Sequence, residues 1–98
     1  MSFLDFGVKI MRLKYEFETV DLGDEVVAVP VGDNASEVQG VIKLNSTGAD
    51  IFNLLKNETT EEAIIQTLTE KYDDGQETIA RYVHKVLKSL YKNGIIDS

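Results

Sequence analysis

The chain has 98 residues, 43% of them hydrophobic, with no Cys, one His and a formal net charge of −7. That length makes one domain with one modest core, and the composition argues against a disordered chain and excludes a disulfide framework or a thiolate metal site. The acidity disfavours nucleic acid, because non-specific affinity comes from neutralising phosphates with Lys and Arg, and no apolar run approaches the roughly 20 residues of a membrane span.

Residues 1–12 read as an N-terminal extension ahead of a domain over residues 13–98. Its apolar side chains (Phe3, Leu4, Phe6, Val8 and Ile10) could alternatively form an extra strand, and Met11 offers an alternative start. Asp5 and Lys9 interrupt the apolar stretch and no basic lead-in precedes it, so it is a poor signal peptide and the expected location is cytoplasmic. Residues 15–20 alternate apolar and polar and read as a strand, residues 21–24 as a turn, and residues 26–31 as a second strand. Pro30 cannot donate to a ladder, so it belongs at a strand end or on a side without a partner. After a loop at residues 32–36, residues 38–44 predict a third strand: Val38, Gly40, Ile42 and Leu44 fall on one face and Gln39, Val41 and Lys43 on the other. Short connections suggest an antiparallel meander.

Everything after Asn45 reads as helical. Asn45 or Ser46 supplies an N-cap, Ile51, Phe52 and Leu55 repeat at helical spacing, and the first helix ends near Asn57. Thr59-Thr-Glu-Glu62 has the form of a capping box, opening a second helix with Ile64, Ile65, Leu68 and Tyr72 on its inner face. Asp74-Gly-Gln-Glu77 opens the last helix, Gly94 suits a left-handed stop, and Ile95 and Ile96 are placed to dock on the core.

Charge is uneven along the chain: −4 over residues 1–45, −5 over residues 46–75 and +2 over residues 76–98. On the last helix Ile79, Val83, Val86 and Leu90 share a narrow arc that predicts the core face, with Arg81, Lys85, Lys88 and Lys92 opposite. Tyr82 and Ser89 flank the apolar stripe on one side, and His84, Leu87 and Tyr91 on the other. The cations either form a solvated face that complements the helix dipole or a ridge for an acidic segment, with Tyr82 and Tyr91 adding contact area. His84 is the only His and has no Ser or Cys nucleophile in local register, so a structural role is expected. Glu62 and Asp74 are explained by capping and Asp73 by loop solvation. There is no calcium-loop spacing and no Gly-rich phosphate loop. No catalytic residue, metal or cofactor is expected.

The order of strands, Gly40-Val-Ile-Lys-Leu-Asn-x-Thr-Gly-Ala-x-Ile51, Thr60-Glu-Glu-x-Ile64, Tyr72-Asp-Asp and a long final helix resembles the PqqD-like family, over residues 13–97. The namesake of that family is the pyrroloquinoline quinone biosynthesis protein D. The resemblance implies an α+β, winged helix-turn-helix-like domain, a three-stranded antiparallel sheet followed by three helices. It implies a recognition element that binds the leader of a ribosomally made precursor peptide and presents it to a modifying enzyme, often a radical SAM enzyme. The leader would add as a strand along Val38, Gln39, Gly40, Val41, Ile42, Lys43 and Leu44, beside the exposed flank of the last helix. Arg81, Tyr82, Lys85, Lys88 and Ser89 are the expected contacts there, with the flank of Leu87 and Tyr91 as the alternative groove wall, and an acidic leader would suit Arg81, Lys85 and Lys88. Strand addition draws affinity from main-chain hydrogen bonds and specificity from alternate side-chain pockets. Gly40 would let a second backbone approach closely, or marks a bulge.

Three other readings compete. A winged-helix DNA-binding regulator would use the basic stripe, but the net charge of −7 and a loop at residues 32–37 without Lys or Arg oppose it. A carrier protein would be modified at Ser46, which is better explained as a cap. A structural homodimer could form through the third strand or by exchange of residues 1–10, competing with ligand.

Overall fold

A computed structural model describes residues 10–33, 35–38 and 40–97. The expected extra strand or loose extension at the N-terminus therefore lies, but for its last residues, outside the described residues. Three antiparallel strands, β2 (Glu16–Asp21), β3 (Val26–Val31) and β4 (Ile42–Leu44), form a sheet in the order β2-β3-β4. Three helices follow: α1 (Ser46–Leu54), α2 (Glu61–Lys71) and α3 (Gln76–Lys92). A two-residue strand β1 (Arg12–Leu13) pairs with β5 (Ile96–Asp97). No described helix is long and apolar enough to cross a membrane.

The meander follows from its β-branched residues and turns. β3 carries four valines, the pattern of a half-buried pleated strand. Directly paired residues share a face, so Thr19, Ala28 and Ile42 point inward together, while Val20, Val27 and Lys43 point outward. Pro30 pairs with Phe17 on β2, but β4 reaches only as far as Ala28, so the proline sits where its missing N–H is not needed by β4.

The core lies between the inner sheet face and the helices. Phe17 meets Phe52 edge to face with ring centroids 5.0 Å apart, and Leu55, Ile64, Leu68 and Val83 are fully buried. Each such aliphatic side chain contributes on the order of 1.5–3 kcal/mol by leaving water. Met11 belongs to this core: it is buried, and its backbone exchanges two hydrogen bonds with Thr59, at 2.8 and 3.0 Å. Ile95 and Ile96 also dock there, after Gly94 turns the chain with φ of +72°.

Four local expectations need correction. The third strand is shorter than its period-two pattern: residues 35–37 form a 3-10 turn, Val38 closes it through a hydrogen bond to the Ala35 carbonyl, and Gly40 turns with φ of +74°. Gly40 therefore ends a loop and is not a bulge within a strand. The cap of α2 is Thr60, whose hydroxyl accepts from the Ala63 N–H at 3.2 Å, because Thr59 is occupied by Met11. The cap position of α3 is Gly75, with φ of +86° and no side-chain cap, and not Asp74. Finally, α1 ends at Leu54, short of Asn57.

Candidate functional site

The edge of β4, unpaired among the described residues, and the flank of α3 beside it define an open groove. α1 follows β4 without a loop because Asn45 caps it, accepting the Gly48 N–H on its side-chain oxygen at 2.8 Å. The same oxygen accepts the Tyr82 hydroxyl at 3.0 Å, which fixes that ring between α3 and the end of β4. The resulting groove of about 350 Å³ has Ile42 and Leu44 on one wall and Tyr82, Lys85, Val86 and Ser89 on the other. A second depression of about 560 Å³ shares Ile42, Ser89 and Leu90 with it and runs on past Val38, Lys14 and Glu37. The two make one trough along the second half of α3.

The rotation of α3 decides which flank lines this trough. Ile79, Val83, Leu87 and Leu90 are buried, whereas Val86 is only partly so. The core stripe thus lies toward Leu87, and Val86 shifts to the groove together with Tyr82 and Ser89. His84, on the other flank, faces α2: its Nδ1 lies 3.1 Å from Oε2 of Glu61, a buried carboxylate at the start of that helix. This contact ties α3 to α2.

The anticipated residues divide accordingly. Ile42, Lys43, Leu44, Tyr82, Lys85 and Ser89 line the groove, Lys43 from a position whose side chain belongs to the outer sheet face. Val38 lines the adjoining depression. Val41 is 51% exposed just before β4, and Gly40 is exposed in the preceding turn. Gln39 lies outside the described residues. Arg81 is held along its own helix by Glu77 at 3.1 Å, and Lys88 is exposed about 60° further round from Lys85.

Asn45, Val86 and Lys14 are groove residues that sequence reasoning did not place there. Asn45 was legible only as a cap, and Val86 only as core. Lys14 comes from the connection between β1 and β2, fixed by its N–H donating to the Ile95 carbonyl at 2.8 Å.

A second cluster ties α1 to the end of α2. Asp50 on α1 accepts the Tyr72 hydroxyl and pairs with Lys71 at 3.0 Å, and the Lys71 ammonium sits 5.6 Å from the Tyr72 ring centroid. The Asp50 hydrogen bond raises the Tyr72 pKa above its usual 10.0, with burial adding to the shift, and raises that of Lys71 above 10.5. Elsewhere, an open depression of about 530 Å³ touches Arg12, Tyr15, Asp33 and Lys56 but includes no residue of β4 or α3. Among the described residues, no group of three or more His, Asp or Glu is placed to hold a metal ion.

Comparison with known proteins agrees with this architecture. The fold is similar to that of a solved structure described as TbiB1 in complex with the TbiA(beta) leader peptide, with a TM-score of 0.69 and 18% identity over 89% of this chain and 95% of that one. No curated protein matches the chain in sequence. The family model for coenzyme PQQ synthesis protein D matches residues 22–96, a span from the turn after β2 to the final strand. The chain belongs to the PqqD family.

Proposed function

We propose that this protein is a peptide-binding adaptor. The leader of a ribosomally made precursor peptide adds as a strand to the β4 edge and is presented to a modifying enzyme, such as a radical SAM protein. The observation that carries this reading is the edge of Ile42–Leu44, unpaired among the described residues, lying beside an open trough on α3. A strand edge offers main-chain donors and acceptors, and a groove beside it receives every second side chain of what docks there. Membership of the PqqD family supports the reading, as does the likeness in fold to a protein solved with a leader peptide. The other sheet edge, β2, carries Glu16, Glu18 and Asp21, charges that discourage pairing.

The role is one of binding and presentation, not catalysis. Hydroxyl, amide and ammonium groups and the Glu37 carboxylate line the trough and can orient a peptide, while His84 faces away from it toward Glu61. A free edge of only three residues gives few main-chain bonds, so discrimination falls to the side-chain pockets on α3.

The test is an N-methyl scan. The fluorescently labelled leader half of a precursor peptide encoded beside this chain is titrated with the full protein, each backbone N–H being methylated in turn. Strand addition predicts loss of binding at alternate positions of a short window, with the intervening positions tolerant. Binding with no two-residue periodicity, or none at all, overturns the reading.

A further inference from the structure

We infer that the trough selects an acidic–apolar peptide strand, with two carboxylate side chains bracketing an apolar one on the face that meets α3. This rests on the reading that the trough takes an extended peptide, and it names the chemistry of that peptide.

The middle of the trough is apolar, formed by Ile42, Leu44, Val86 and Leu90. Two cations flank the Val86–Leu90 part of this stretch along α3: Lys85 lines the first groove, and Lys14 lines the depression that continues it. Both are exposed and, among the described residues, neither is in an ion pair, whereas Arg81 on the same helix is paired with Glu77. In a chain of net charge −7 this is a local reversal of sign. It attracts carboxylates where most of the surface repels them. Lys14 shares its depression with Asn93, and from Lys85 to Asn93 the helix advances roughly 12 Å. That is about four residues of extended chain, an even number, so both acids and the apolar residue between them fall on one face of the strand. The pattern is acid-x-apolar-x-acid. Glu37 lines the Lys14 end and opposes the acid there, so that end is the more weakly selective of the two.

The probe is a phage-displayed library of random 12-residue peptides, selected on the immobilised full chain and on Lys85→Glu and Lys14→Glu. Both substitutions are at exposed positions, so each variant is expected to fold. Selected peptides are checked for shifts at the Ile42–Leu44 amides. The expected result is enrichment of Asp or Glu at two positions four apart, one switching to Lys or Arg with each variant. Replacing either acid by Gln in a selected peptide is expected to weaken binding roughly three- to tenfold. Glu37→Gln is expected to tighten it. If selected peptides shift the β4 amides but their acid content is the same for all three proteins, the inference is overturned and strand addition stands. If no selected peptide shifts those amides, strand addition itself is overturned and the inference falls with it.

Discussion

The rotation of α3 makes a quantitative prediction from two neighbouring residues. Leu87 is fully buried, whereas Val86 is only partly so, on the groove wall. Leu87→Ala removes three carbons, a transfer loss of about 2.4 kcal/mol at ~0.8 per methylene. The cavity left among rigid neighbours brings the total to about 3–4 kcal/mol. Val86→Ala removes two carbons that are already partly hydrated, so about 0.8 kcal/mol is expected. Against a domain stability of roughly 5–15 kcal/mol the first change is severe, lowering Tm by about 12–32 °C, and the second is minor. Urea denaturation followed by circular dichroism, with the slope unchanged between proteins, measures both. If Val86→Ala costs as much as Leu87→Ala, α3 is rotated from the position described. Val86 would then belong to the core and not to the groove wall, and the groove assignment would fail.

Asn45→Ala removes the α1 cap and the acceptor for Tyr82 together, so a loss of about 1–2 kcal/mol is expected together with weaker peptide binding. Tyr82→Phe leaves the cap in place, and equal stability losses for the two variants would contradict the dual role of Asn45. The Asp50–Lys71–Tyr72 cluster makes a pH prediction. Folded-state pKa values raised above 10.0 for Tyr72 and 10.5 for Lys71 mean that the stabilisation is fully present below those values and is lost as pH rises through the raised ones. Thermal melts from about pH 8 to about pH 11 are expected to fall at the alkaline end, and less steeply for Tyr72→Phe. An identical slope in the variant would rule out the Asp50–Tyr72 bond as a source.

How much of this was legible in the sequence depended on whether the signal was local. The β2–β3 hairpin, the Asn45 cap and the left-handed Gly94 were readable because alternation, a capping side chain and a glycine stop act within a few residues. The third strand was over-extended because Val38 and Gly40 keep the alternation phase while Gly40 adopts a positive φ that alternation does not register. The pairing of β1 with β5 left no trace, since two residues are too few to show a period. Val86 and Leu87 are both apolar and adjacent, so the helical wheel alone could not choose between them. The packing of α2 against α3, fixed in part by Glu61 and His84, made that choice. Lys14 reached the trough through the β-pairing of the termini, a contact between the two ends of the chain.

The central claim is that a peptide adds to the edge of β4. The most direct measurement is amide hydrogen exchange by NMR on the labelled full chain, with and without the bound leader peptide. The account predicts new protection within Ile42–Leu44, with chemical-shift changes along Tyr82–Ser89. Binding that leaves the β4 amides unprotected, and shifts instead the depression lined by Arg12, Asp33 and Lys56, would contradict it.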